Sequence, residues 1–358
     1  MSARCIHFGI CGGCTLQDLP RQDYFARKRG DVIRALTKNG LGDAPVTEVI
    51  AVPPRTRRRA VFKIVKKEGA VSVGFHALKS HAVVDMRECL VLAPALVRLV
   101  AHLRDLMAKL LTNGQHAEAH VTKADNGIDI AIRAYVQMKP ALTQAFAKAA
   151  PAMGVLRVVW NGALAYESAA PEVRFGAATV KLPPECFLQP TLAGEEALTK
   201  RVLAATKGAR SVADLFSGCG TFSIPLAAQA RVHAVEKDDA MLTALLSAAK
   251  SASRLKPVTA ARRDLFKVPL SAAELSKFEA VTLDPPRAGA QAQCLQLAKS
   301  TVARIAYVSC DAQSFARDAR ILVDGGYFME PVTPVDQFLW SEHIELVGAF
   351  ARPGWKGS

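Results

Sequence analysis

Long apolar runs are missing from this chain of 358 residues. No stretch of about 18 uninterrupted apolar residues occurs, so no membrane-spanning helix is expected. The start, MSARCIHFGICGGC, lacks the apolar core of a secretory leader, and the protein is read as soluble and cytoplasmic. Without such a leader the eight cysteines are not expected to pair as disulfides. Metal, catalysis or plain burial must account for them. Aromatic residues are scarce at 6%, which leaves Ala, Val and Leu to do most of the packing. Acids are the minority charge, 32 against 46 Lys and Arg, for a net charge of +14. No acid interrupts residues 55–67, RTRRRAVFKIVKK, which hold seven cations.

A field of that sign attracts polyanions. Because the cations are interleaved with Val61, Phe62, Ile64 and Val65, the segment reads as a strand with one basic face. No amphipathic basic helix accompanies it, so nucleic acid is preferred over membrane as partner. Arg57, Arg58, Arg59, Lys63, Lys66 and Lys67 are the candidate phosphate contacts. The length is enough for two or three domains.

Residues 1–45 form a cysteine-rich segment and a helix, Arg21 to Asn39, closed by Gly40. Residues 46–180 contain short alternating runs such as AVSVGFHA, IDIAIRA and LRVVWNG. They predict an α+β domain with an antiparallel sheet, helices near Ala93–Leu111 and Ala134–Ala150, and an RNA-binding role. Over residues 181–358 short apolar runs (SVADLF, RVHAVE, FEAVTLDPP, ARIAYVSC) alternate with helical stretches. That is the pattern of a doubly wound, Rossmann-like parallel sheet, and the chain as a whole is read as α/β.

Asp214-Leu-Phe-Ser-Gly-Cys-Gly220 follows a predicted strand and opens a helix. Gly218 and Gly220 permit a tight turn and close backbone approach. The third glycine of a dinucleotide fingerprint is replaced by Ser223, which disfavours NAD and leaves a cofactor without a pyrophosphate. Glu236, Asp264 and Asp284 end the next three strands. A carboxylate at the first position can take ribose hydroxyls, and one at the second can reach an adenine amino group. All lie on one rim of the sheet, a set that fits S-adenosylmethionine.

Cys310, in YVSCDAQSFARD, ends the fifth strand at the same rim. A following helix is expected to favour its thiolate. Such a thiolate can add to C6 of a uracil and make C5 reactive toward a sulfonium methyl. A base must then remove the C5 proton. Glu345, in SEHIELVGAF, is the candidate, and a solvent-facing strand glutamate is the competing reading. Cys5, Cys11 and Cys14 form C-x5-C-x2-C, and Cys89 is the best fourth ligand. Spacing alone suggests zinc, with His7 a weaker competitor. Cys186, Cys219 and Cys294 are read as small hydrophobic or loop residues.

These elements together resemble the RNA uracil-5-methyltransferases, which make 5-methyluridine in transfer and ribosomal RNA. The resemblance runs through C-x5-C-x2-C, F-x-Q at Phe187–Gln189, DLFSGCGTFSIPLA, VEKD, RRDLF, DPPRAG, VSCDAQSFARD and H-x-E at His343–Glu345. It implies Cys310 as nucleophile and Glu345 as proton acceptor. Gln189, Phe216, Glu236, Asp264 and Asp284 would line the cofactor and base pocket, with Asp284 also holding the uracil edge. Arg287 becomes a candidate substrate contact beside the catalytic rim. The resemblance shifts the cysteine cluster from zinc to a structural or RNA-positioning [4Fe–4S] centre. The chain is expected to act on rRNA or tRNA as a monomer, without the N-terminal RNA-binding barrel that some relatives carry.

The sequence departs from the family at Cys310-Asp311-Ala312 (often Cys-Asn-Pro), at Thr191 (usually Asn) and at Ser217 and Cys219 of the cofactor loop. A cytosine-C5 methyltransferase and a catalytically silent RNA-binding or chaperone protein are the competing functions.

Overall fold

The computed structural model describes residues 4–138 and 140–355. Helix α1 (Arg21–Lys38) turns Tyr24, Lys28, Val32, Ala35 and Leu36 inward at helical spacing and stops at Asn39, before Gly40 takes φ +72°. The short β1 (Ile50–Ala51) follows, then β2 (Arg59–Lys67), β3 (Ala70–His76) and β4 (Val83–Asp85). Helix α2 (Pro94–Leu110) starts on a proline, whose missing N–H costs nothing in a first turn, and buries Leu96, Leu99, Val100, Leu103 and Met107. After β5 (His116–Lys123) and β6 (Ile128–Ala134) comes α3 (Pro140–Met153). This helix begins later than the sequence suggests because Ala134 is still paired in β6. Next are β7 (Val155–Trp160), β8 (Ala163–Glu167) and the hairpin β9 (Glu172–Phe175) and β10 (Ala178–Lys181).

The central sheet has the order β4-β3-β2-β5-β6-β7-β8. Its neighbours are antiparallel except β6 and β7, which run parallel because α3 returns the chain between them. Alternation along β2 sends Ala60, Phe62 and Ile64 into a core shared with α2 and α3, while Val61 and Lys63 face the other side.

From there strands and helices alternate: α4 (Leu192–Ala205), β11 (Ser211–Leu215), α5 (Ser223–Ala227), β12 (Arg231–Glu236), α6 (Asp239–Ser251), β13 (Val258–Arg262), α7 (Ala272–Leu275), β14 (Ala280–Leu283), α8 (Gln291–Ala298), β15 (Arg304–Ser309) and α9 (Ala312–Asp324). The chain closes with β16 (Phe328–Met329), β17 (Thr333–Asp336) and β18 (Glu345–Ala351). The large sheet runs β1-β17-β18-β15-β14-β11-β12-β13. Strands β11 to β15 are parallel, and β18 enters antiparallel beside β15. Apolar cores cover both faces, with α1, α8 and α9 on one and α4 and α5 on the other. The chain winds outward through β12 and β13, then returns to the other side of β11 at β14. That reversal opens a crevice at the strand ends. No described helix is long and apolar enough to cross a membrane.

Two buried ion pairs join the parts. Lys28 meets Asp336 at 2.9 Å with both side chains fully buried, and Tyr24 donates to the same carboxylate at 2.5 Å. The Arg58 guanidinium bonds Glu195 of α4 and donates through Nε to the carbonyl of Gln189 at 3.0 Å.

Candidate active site

The turn after β11 is built on a buried carboxyl. Asp214 accepts from Ser223 Oγ at 2.5 Å, which fixes the start of α5 beneath the loop. Burial pushes this acid up to about 7. Phe216 sits in the turn at φ 61°, a strained conformation for a bulky residue, and Gly218 and Gly220 also take positive φ. Gly218 N–H donates to Glu236 Oε2 at 3.2 Å, so the carboxylate ending β12 closes against the loop. The Asp264 carboxylate accepts from Phe266 N–H at 3.1 Å. Phe216 and Phe266 face each other with centroids 5.4 Å apart. Glu236, Asp264 and Asp284 end successive strands around this loop, and Phe216 supplies an apolar wall.

A second cluster lies across the crevice. Asp284 directly follows β14, Cys310 directly follows β15 and Glu345 begins β18. Gln189 Nε2 donates to Asp284 Oδ2 at 2.9 Å. Gln337 Nε2 donates to Gln189 Oε1 at 2.7 Å and to Glu345 Oε2 at 2.8 Å. Four side chains therefore form one directed chain, Glu345–Gln337–Gln189–Asp284. Burial pushes Glu345 up to about 7, which overturns the reading of a solvent-facing glutamate; the residue is only 3% exposed. Burial, then the charges of Glu345 and Asp214, raise Asp284 as well.

The Cys310 thiol is half-buried and pushed up to about 12, by burial first and then by Glu345 and Asp284; Arg287 opposes them. The expectation that α9 holds it as thiolate is therefore corrected. Asp311 caps that helix itself, accepting from Ser314 N–H at 2.8 Å, and its carboxylate takes the positive helix end that the sulfur was expected to use.

Cys310 lines a cavity of about 460 Å³ together with Arg287, His343 and Phe338. The same lining includes Arg57, Cys5, Cys11 and Cys89. Arg287 bonds the His343 ring at 2.6 Å. The four N-terminal-cluster thiols lie close enough to act on one another. Burial and neighbouring sulfurs raise Cys11, Cys14 and Cys89, with Cys14 reaching about 12. Gly13 N–H donates to Cys11 Sγ at 3.5 Å. Four sulfur donors, one of them far in sequence, suit a soft metal centre. Among the described residues, however, no group of three or more His, Cys, Asp or Glu is drawn together as a metal-holding set. His7 is engaged elsewhere, accepting from Arg87 N–H at 3.0 Å.

The basic run divides into separate roles. Arg58 is overturned as a phosphate contact: it is buried and paired with Glu195. Lys66 donates to the carbonyls of Ala108 and Leu111 and so caps α2, and Lys63 bonds Glu118. Arg57 lies over the Phe338 ring at the same cavity. Arg59 lies 4.5 Å over Phe187 and donates to the Leu188 carbonyl at 2.8 Å. Lys67 stays exposed beside Glu68. Cys186 and Cys219 are buried with sulfurs 2.9 Å apart, and Cys294 is fully buried.

Sequence reasoning missed Gln337, Phe266 and Glu195. Only Gln337 carried a signal, as an amide beside the apolar run Phe338-Leu-Trp340 on the approach to Glu345.

Residues 173–352 match the family model described as tRNA (uracil-5-)-methyltransferase. An uncharacterized RNA methyltransferase of Rhizobium meliloti is 42% identical over 354 residues, spanning 97% of this chain and 85% of the relative. A 23S rRNA (uracil(1939)-C(5))-methyltransferase of Bordetella parapertussis is 33% identical over 383 residues, spanning 98% of this chain and 80% of the relative. In fold the chain is similar to the Pyrococcus abyssi tRNA (uracil-54, C5)-methyltransferase, whose crystal structure holds S-adenosyl-L-homocysteine. The TM-score is 0.73 at 20% identity, covering 95% of this chain and 86% of that one.

Proposed function

Since the chain belongs to the tRNA (uracil-5-)-methyltransferase family, we propose that it methylates C5 of a uridine in structured rRNA or tRNA, using Cys310 as a covalent nucleophile and Glu345 as the proton acceptor. The carrying observation is the meeting of Cys310 with Asp284 and Glu345, close enough for each carboxylate to raise the thiol, with Cys310 lining a cavity large enough for a base. S-adenosylmethionine supplies the electrophilic methyl group. Glu236, Asp264, Phe216, Gly218, Asp284 and Gln189 are the residues assigned to that end of the crevice.

A stacked base cannot reach the sulfur, so the uridine enters unpaired or flipped. Asp284 accepts from its N3–H, and its link to Gln189 fixes the orientation. The thiol first releases its proton to solvent, a step favoured by Arg287 beside it. The sulfur bonds to C6, and the ring electrons pass through C5 to form the new bond to the methyl carbon as the methyl–sulfur bond breaks and its electron pair stays on the departing neutral thioether. Glu345 takes the C5 proton, the C5–C6 double bond re-forms and the thiolate departs. A half-ionised carboxyl near neutral pH suits that role.

Arg57, Arg59 and Arg287 are assigned to the RNA around the target base. Cys5, Cys11, Cys14 and Cys89 are assigned to a [4Fe–4S] centre in the cavity wall, with zinc as the other outcome. Iron and acid-labile sulfide at stoichiometric amounts would support the cluster, zinc in their place would select the alternative, and absence of both would remove the assignment.

RNA containing 5-fluorouridine tests the mechanism, because a C5 fluorine cannot leave as a proton does. With S-adenosylmethionine the wild-type protein should form a stable adduct by mass, and Cys310→Ser should form none. An equal adduct with Cys310→Ser would sink the mechanism. Formation of 5-methylcytidine would select the cytosine reading, and RNA binding without methylation the silent one.

A further inference from the structure

Glu345 has one hydrogen bond to its carboxyl among the described residues, and it comes from Gln337. The Gln337 side chain is fully buried, and its two amide hydrogens are both spent, one on Glu345 and one on Gln189. Reversing this amide would turn its oxygen toward Glu345 Oε2 and Gln189 Oε1, two acceptors. The orientation is therefore set by its partners while Glu345 is ionised. Gln189 in turn has its oxygen occupied, so its own N–H group must face Asp284, as observed at 2.9 Å.

The surroundings hold Gln337 in place. Its neighbour Asp336 is locked by Lys28 and Tyr24 of α1. On the other side Gly194 leaves room for the amide, since a Cβ there would come within 2.5 Å of Gln337 Oε1.

We propose that Gln337 is a positioning residue for proton removal: it holds Glu345 ionised and oriented toward C5, and through Gln189 it fixes the donor presented to Asp284. The proposal rests on the uracil-C5 reading above. A hydrogen bond donated to a carboxylate favours the charged form, so Gln337 opposes the burial that would keep Glu345 protonated. It also commits one Gln189 hydrogen to Asp284, which keeps that carboxyl an acceptor for the base edge.

The test is Gln337→Met, similar in length but without a donor. The acid limb of the pH–rate profile for methylation should move to higher pH by about one unit, as expected for loss of one charge-assisted hydrogen bond. Decay of the covalent adduct formed with ordinary RNA should slow about five-fold at neutral pH, where a one-unit rise takes the ionised fraction from roughly a half to roughly a tenth. Gly194→Ala, which crowds the Gln337 amide without removing it, should move the limb in the same direction. A folded variant of either kind, with native melting and S-adenosylhomocysteine affinity but an unchanged limb and decay rate, overturns the proposal. Failure of the underlying reading looks different: the wild-type protein would form no adduct with 5-fluorouridine RNA.

Discussion

Phe216 carries a conformational cost at the loop proposed to hold the cofactor. Its φ of 61° suits glycine better than a β-carbon-bearing side chain, and such strain costs on the order of 1–3 kcal/mol. The return is an aromatic wall facing Phe266. Phe216→Gly should therefore leave the melting temperature unchanged or slightly higher, while weakening S-adenosylmethionine binding about three- to ten-fold, the worth of one aromatic contact. Calorimetric titration beside a thermal melt checks both. A large loss of stability with unchanged affinity would place Phe216 in packing alone. At the same scale Cys310 is not activated in advance by its helix, because Asp311 occupies that helix end. The thiol is therefore expected to react slowly with iodoacetamide at neutral pH, at no more than the rate of an ordinary free cysteine.

Between elements, buried ion pairs carry the site. Arg58 at the start of β2 reaches across to Glu195 on α4 and to the backbone of Gln189, and so links the central sheet to the loop that carries a pocket residue. Arg58→Met leaves Glu195 buried without its cation, a loss of roughly 3–5 kcal/mol, whereas the double variant Arg58→Met with Glu195→Met should recover most of it. Denaturant unfolding of the three proteins measures this. A single variant as stable as wild type would contradict the buried pairing. The salt dependence of RNA binding should not change in Arg58→Met, because a guanidinium already paired releases no counterion on binding. Tyr24 and Lys28 of α1 hold Asp336 beside Gln337, and Arg58, paired with Glu195 of α4, holds the Gln189 backbone.

For the whole molecule the buried carboxyls set a pH dependence. Asp214 and Glu345 are both raised to about 7 by burial. A raised carboxyl favours the folded state while it is protonated. Its contribution is complete below the unfolded value, near 4 for such groups, and is lost as pH climbs to about 7. These two groups therefore make the protein more stable near pH 5 than near pH 8. Asp214 alone contributes roughly 2–3 kcal/mol to the difference. Asp214→Asn should flatten the fall in melting temperature between pH 5 and pH 8, and an unaltered slope would show that this carboxyl is not the source. If Glu345 removes the C5 proton as proposed, it must be ionised, and activity should rise over the same interval in which stability falls.

The cofactor loop, the DPPR turn, the position of Cys310 and the alternation of strands and helices were legible in the chain. Each depends on neighbours a few residues apart, where steric rules and periodicity act locally. The boundary of α3 was not legible, because pairing of Ala134 in β6 with Ala117 of β5 overrides helix propensity. The split of the basic run could not be read either: Arg58, Lys63 and Lys66 find partners 137, 55 and 42–45 residues away. The chain from Glu345 to Asp284 lies furthest from view, with Gln337 and Gln189 separated by 148 residues. By itself the sequence determined which chemical groups are present and which local turns hold them. Tertiary structure alone decided which groups are buried, and burial sets both their proton affinity and their partners.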